Sequence, residues 1–315
     1  GAGAKSILED FYRHVVQNGL KHEWLFFLSL VDLQPLPNIR VIRWPEVKRS
    51  RLARIWFDMV QVPRRIAAYE PDLVISLQNL AVMGYCGHQF VYVHQAIPFQ
   101  KIKRFSFFKK DEHPLAFYQY IYPILLFPGL RRAEKIFVQT EWMKRKIAER
   151  VKVPAERIIV VTPLIDIDGD YPSRQDKVAV SNTFVYPAEP LCYKNHTCIV
   201  DAVRELIHRG HSDFRVLFTL QPHMRQSLGA EGIEQIEFLS RIPKTELFAL
   251  YQQSVLLFPS YIESFGLPLL EARKLGRVVF ASDTEVSREV LEGYDNAHFF
   301  DPFLPAQLAD LMEMQ

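Results

Sequence analysis

Apolar positions along this chain fall into two alternating patterns. Short continuous runs, such as Ile158-Ile159-Val160-Val161 and Val255-Leu256-Leu257-Phe258, read as strands, the second of them buried. Between them lie longer stretches whose apolar residues return every three or four positions, the mark of a helix with one buried face. Such alternation predicts βα units and parallel sheets, an α/β fold. In the first half the pattern predicts helix 4–19, strands 23–30 and 39–43, helix 51–69 and strand 72–76. A strand at Phe90-Val91-Tyr92-Val93, a helical region 113–133, strand 135–138, helix 141–151 and strand 158–161 follow. The second half predicts strands 182–186, 214–219, 235–239, 255–258, 278–281 and 297–300. They are separated by helices 195–210, 221–229, 243–253, 267–275 and 285–292, with a last helix from about 305.

Residues 162–177 interrupt this rhythm with two prolines, a glycine and four aspartates, and read as a linker. Two domains follow, 1–165 and 178–315, in a chain of 315 residues that is long enough for two cores. Two doubly wound domains of this kind bind ligands at the carboxyl ends of their strands, in the cleft between them.

Charge changes the picture at the same place. Residues 1–160 carry 25 Lys and Arg against 14 Asp and Glu, whereas 161–315 carry 13 against 22, although the whole chain is only +2. The basic half suggests an anionic surface. Segment 99–132 concentrates it, with seven basic residues, two acidic ones and nine aromatics. Bases interleaved with rings suit single strands of nucleic acid or the headgroup region of a membrane. No nucleic-acid module accompanies them, so the expectation is peripheral attachment to an anionic membrane through Lys109, Lys110, Arg131 and Arg132, with no nucleic-acid partner. The same helical region also fits the core of the first domain. Three cysteines without metal or redox spacing point to a reducing cytosol. No apolar run reaches the length of a spanning helix.

The most specific string is Pro259-Ser260-Tyr261-Ile262-Glu263-Ser264-Phe265-Gly266-Leu267-Pro268-Leu269-Leu270-Glu271-Ala272. It follows a buried strand and opens a helix, the shape of a βα turn whose amides face an anion. Pro268 suits the first helical turn, where its missing N–H costs nothing. Glu263 and Glu271, eight residues apart, flank the turn. The string resembles the paired-glutamate signature of glycosyltransferase family 4, retaining enzymes of the GT-B fold, here of the bacterial O-antigen or capsular type.

The resemblance implies two Rossmann-like domains facing each other across a cleft. It also implies transfer of a hexose-type sugar from a UDP- or GDP-sugar to a lipid-linked or glycan acceptor. Glu263 is then expected on the hydroxyls of the donor sugar and Glu271 on the ribose. Lys194, which opens a helix in Tyr193-Lys194-Asn195-His196, is expected on the diphosphate with the amides of Ser264, Phe265, Gly266 and Leu267. The family usually places an arginine five residues before that lysine. This chain has Glu189 there, and Arg241 is the nearest replacement. His94, directly after a strand, takes the place of a family histidine close to the transferred sugar. His88, His196 and His298 are read as structural.

Gly1 and Gly3 resemble the family's glycine loop, yet the strand that should precede that loop is missing from the sequence. A trimmed chain and an expression scar both account for this. No metal motif appears and none is implied, so no cofactor is expected. The expected location is the cytoplasm, on the inner face of the plasma membrane. Two alternatives are a non-catalytic nucleotide-sugar-binding subunit, favoured by Glu189, and an epimerase of the same fold.

Overall fold

The computed structural model describes residues 2–19, 21–28, 31–44, 61–165 and 182–315. Its contacts divide the chain into two compact units. One comprises Gly1–His94, Tyr122–Val138 and Ile147–Ile159, the other Gln95–Ile121, Gln139–Lys146 and Val160–Gln315. Segments 95–121 and 139–146 thus pack with the second half rather than with their neighbours in sequence. The expected linker 162–177 lies outside the described residues from 166 onward.

In the first unit, α1 (Ala2–Asn18) lies on a two-stranded parallel sheet of β1 (Trp24–Leu28) and β2 (Ile39–Arg43). Val15, Phe26 and Ile39 form the buried contact, with Leu8, Phe11 and Trp24 around it. A four-stranded sheet runs β3 (Val74–Ser76), β4 (Gln89–Tyr92), β5 (Lys135–Val138) and β6 (Ile158–Val160). α2 (Val62–Ala67) is the described part of the helix expected at 51–69, with Pro63 in its first turn.

The region 113–132 is helical but uneven. α3 (His113–Ala116) passes through a π-turn at Phe117–Ile121 into α4 (Tyr122–Arg132), which contains Pro128. α5 (Glu141–Ile147) likewise ends in a π-turn, Ala148–Lys152.

The second unit holds a six-stranded sheet in the order β12-β11-β10-β7-β8-β9, and all five pairings are parallel. Its strands are β7 (Thr183–Tyr186), β8 (Arg215–Phe218), β9 (Ile236–Phe238), β10 (Val255–Phe258), β11 (Val279–Ser282) and β12 (Ala297–Phe300). Every residue of β10 and β11 is buried, which is why these strands read as unbroken apolar runs. The crossovers carry α6 (His196–His208), α7 (Met224–Ser227), α8 (Lys244–Gln253), α9 (Leu267–Lys274) and α10 (Glu285–Val290), and α11 (Pro305–Glu313) closes the chain.

From β7 the chain winds outward through β8 to the edge strand β9, then returns to β10 on the other side of β7 and winds outward again. The turn after β7 and the turn after β10 therefore lie side by side at the point where the winding reverses. Ligands of doubly wound sheets bind at such a point.

Candidate functional site

Those two turns are tied to each other. After β7, Cys192–Lys194 form one 3₁₀ turn, and Asn195 adopts the left-handed conformation (φ 59°, ψ 39°) that asparagine tolerates better than most residues. Its side-chain amide donates to the carbonyls of Pro302, at 2.7 Å, and Pro259, at 3.3 Å. Tyr261 N donates to the Tyr193 carbonyl at 3.1 Å, and Tyr186 Oη donates to the Lys194 carbonyl at 2.7 Å. Three loops at the carboxyl edge of the sheet are thereby stapled through one asparagine and two tyrosines.

The result is an ion pair between the turns, with Lys194 Nζ 2.5 Å from Glu263 Oε1. The side chains are 20% and 13% exposed, so the pair is partly shielded from water without being sealed from it. An ammonium carries three donors, and one is used here. Immediately beyond Glu263, Gly266 takes φ 89° and ψ 67°. An added Cβ there meets Phe258 Cζ and Leu269 Cδ1, each at 3.1 Å, so both backbone angle and space favour glycine. α9 then begins at Leu267 with Pro268 in its first turn, as its sequence predicts. Ser264 is half-buried in this turn, and Phe265 is buried.

Glu271 sits one turn further along α9 and is 9% exposed. It accepts a hydrogen bond from Tyr251 Oη at 3.2 Å. Burial pushes its carboxyl above the ordinary carboxylate range, opposed by the charge of Lys244 and by the Tyr251 hydroxyl. Beside Glu263 lies a cavity of about 370 Å³, lined among others by Gln100, Lys101, Trp142, Lys146, Tyr261 and Asp283.

Glu263, Lys194, Ser264, Phe265, Gly266, Leu267 and Glu271 are thus gathered at one edge of one sheet. Arg241 is not gathered with them. It is exposed in the bend after the edge strand β9, and β7 and β8 lie between that strand and β10. At the usual strand spacing this is roughly 14 Å. Glu189 is exposed as well.

His94 belongs to the other unit, just past β4. Its amide donates to Asn79 Oδ1 at 2.7 Å, and Asn79 Nδ2 lies 3.3 Å from its Nε2. With Oδ1 already accepting, Nδ2 is the donor, so the ring accepts at Nε2 and carries its proton on Nδ1. Nδ1 is buried and has no hydrogen-bond partner among the described residues. Burial lowers the pKa to about 4, which keeps this imidazole neutral at physiological pH.

Gly3, expected in a glycine loop, lies instead in the first turn of α1, because helix already begins at Ala2; Gly1 falls outside the described residues. Lys109, Lys110, Arg131 and Arg132 are all exposed. Arg131 is partly committed, since its Nε donates to the Val151 carbonyl at 3.0 Å. The three other histidines have structural partners. His196 is buried against Tyr186 and Phe218, His298 packs on Phe280, and His88 pairs with Glu134 at 2.7 Å. Sequence reasoning missed Tyr251, Tyr186 and the stapling role of Asn195, none of which leaves a signal beyond a polar residue at a strand or helix end. No helix among the described residues is long and apolar enough to cross a membrane.

Known proteins resemble the chain along nearly its whole length. Residues 174–314 match the family model of glycosyl transferases group 1, and residues 2–168 match that of Glycosyltransferase Family 4. The O-antigen chain mannosyltransferase RfbU of Salmonella typhimurium is 26% identical over 210 residues, 65% of this chain and 54% of that protein. The D-inositol 3-phosphate glycosyltransferase of Corynebacterium glutamicum is 28% identical over 175 residues, 48% of this chain and 41% of that one. The chain thus spans about half the length of these curated relatives.

Among solved structures, WaaG, a glycosyltransferase involved in lipopolysaccharide biosynthesis, superposes with a TM-score of 0.69 at 15% identity, covering 97% of this chain and 85% of WaaG. The sucrose-phosphate synthase of Thermosynechococcus elongatus gives 0.68 at 16% identity, covering 92% and 78%. Anabaena HepE, solved with UDP and glucose, gives 0.60 at 15% identity, covering 88% and 76%. The fold is the GT-B fold of two Rossmann-like domains, and the chain belongs to glycosyltransferase family 4.

Proposed function

We propose that this protein transfers a hexose-type sugar, with retention at the anomeric carbon and without a metal, from a UDP- or GDP-sugar to a lipid-linked or polysaccharide acceptor. The observation that carries the reading is the Lys194–Glu263 pair at the mouth of the turn that starts α9. A cation, the free amides of a helix start and a carboxylate within one turn are what a sugar diphosphate needs. Lys194 and the amides of Ser264, Phe265, Gly266 and Leu267 hold the diphosphate, Glu263 accepts from the sugar hydroxyls, and Glu271 accepts from the ribose. As the bond from C1 to the diphosphate oxygen breaks, charge builds on the leaving group beside Lys194. The acceptor oxygen bonds to C1 on the same face, and its proton passes to the leaving phosphate oxygen. His94 keeps its expected role close to the transferred sugar.

RfbU is named for O-antigen and WaaG for lipopolysaccharide, and HepE was solved with UDP. They support a nucleotide-sugar donor and a cell-surface glycan acceptor. The exposed rings and bases of segment 99–132 support work at an anionic membrane on its cytoplasmic face. Glu189 in place of the family's arginine favours a second reading, a subunit that binds nucleotide sugar without turning it over.

Nucleotide release from a panel of UDP- and GDP-hexoses separates the two, since the enzyme releases nucleotide and the binding subunit does not. Lys194→Ala should weaken bare UDP or GDP by roughly 1.5–3 kcal/mol in calorimetry, the worth of a charge-assisted contact. Unchanged affinity for both nucleotides removes the diphosphate assignment.

A further inference from the structure

The turn that carries Glu263 is held from outside its own sheet. Ser264 Oγ donates to Gln139 Oε1 at 2.9 Å, and the Ser264 carbonyl accepts from Thr140 Oγ1 at 3.1 Å. The same Thr140 oxygen accepts the amide of Met143 at 3.2 Å, so it caps α5 while it grips the turn. The two preceding amides of that helix are taken by one carboxylate from α10. Glu289 accepts from Glu141 N at 2.6 Å and from Trp142 N at 2.9 Å. One helical turn earlier, Glu285 accepts from Trp142 Nε1 at 3.2 Å, pairs with Lys146 at 3.2 Å and also pairs with Arg145. A helix start whose first three amides are met by side chains is a fixed point, and Thr140 there bonds directly to Ser264. All of these residues belong to the second unit.

We propose that Thr140 and Glu289 are positioning residues for sugar transfer. α10 fixes the start of α5, and Thr140, held there, sets the Ser264 carbonyl and with it the geometry of the Glu263–Gly266 turn. The inference rests on the reading of that turn as the donor site. Its physical basis is that a displacement of about an ångström at a reacting centre can cost a hundredfold in rate.

Thr140→Val keeps the shape and removes the hydroxyl, and Thr140→Ser returns it. With the UDP- or GDP-hexose that the wild type turns over, Thr140→Val should lower kcat about tenfold or more with little change in KM. Thr140→Ser should recover most of that loss, and Glu289→Gln should lower kcat in the same direction. Thermal unfolding of each variant is measured alongside. A lower Tm for Thr140→Val with unchanged kcat overturns the proposal, because the hydroxyl is then only a helix cap. Failure of Thr140→Ser to recover activity also overturns it. Lys194→Ala, titrated with bare UDP and GDP, tests the reading beneath. Unchanged affinity there overturns both, whereas weakened affinity with unchanged kcat in Thr140→Val overturns the positioning role alone.

Discussion

Lys194 already has a carboxylate partner, so a diphosphate must share it with Glu263. This separates the two glutamates. Glu263→Gln should leave bare-nucleotide affinity equal or higher, because the lysine loses a competitor. Turnover should nevertheless fall roughly 10²-fold, or about 2.7 kcal/mol of transition-state stabilisation. Glu271→Gln should weaken bare nucleotide and donor alike, since the ribose is common to both. It should also raise stability at neutral pH. The buried Glu271 carboxyl titrates above its unfolded value, so the folded state binds the extra proton and stability is lost as pH rises through that range. Replacing Glu271 by a neutral amide removes that loss, which urea unfolding at pH 7 measures. The buried histidines act in the opposite direction. His94 and His196 have pKa values near 4 and 3 because burial disfavours their cations. Between pH 6.5 and about 4.5 the unfolded chain takes up protons that these two rings refuse, so stability should fall as pH drops through that window. His94→Gln should flatten that slope, and unfolding curves at pH 7, 6 and 5 report it.

At the scale of elements, Gly266 sets where α9 begins. Gly266→Ala places a side chain at φ 89° against Phe258 and Leu269, and should destabilise by about 1–2 kcal/mol. Equilibrium unfolding measures that cost, and an unchanged midpoint contradicts it. The glycine and the proline two residues after it were legible because each answers to local backbone geometry. Strands 135–138, 255–258 and 297–300 were legible to the residue, and burial on both faces makes 255–258 an unbroken apolar run. What stayed hidden depends on partners distant in sequence. The π-turn at Phe117–Ile121 widens one turn of a helical run, and no glycine or proline within it marks the place. The helix expected at 221–229 is only Met224–Ser227, and the guanidinium of Arg225 within it donates to the carbonyls of Ala230, Ile233 and Ile236. Nothing local marks Glu289 as the cap of a helix that begins at Glu141. Strand order, which puts β9 and the bend with Arg241 at the edge of the sheet, cannot be read from periodicity.

For the whole molecule, the exposed rings of Phe107, Phe108, Phe117 and Tyr120 beside Lys109 and Lys110 should confer binding to phosphatidylglycerol vesicles. Phosphatidylcholine vesicles should bind much less, and added salt should release the protein. Phe108 is 99% exposed, so Phe108→Ser with Lys109→Gln and Lys110→Gln should cut co-sedimentation without lowering Tm. Equal pelleting with both lipids contradicts the attachment. The six-stranded sheet has a further consequence, for the route by which the chain folds. All of its pairings are parallel, so no hairpin can start it, and each contact must wait for a crossover to close. The pairing most distant in sequence is the seam between β7 and β10, where Phe184 lies beside Val255, so loop-closure entropy weighs most on that contact. Lys194 and Glu263 meet across that seam. On dilution from urea, helical signal should therefore return before nucleotide binding does. The interval is when an open β7 edge is exposed to a second chain, so yield should fall as protein concentration rises.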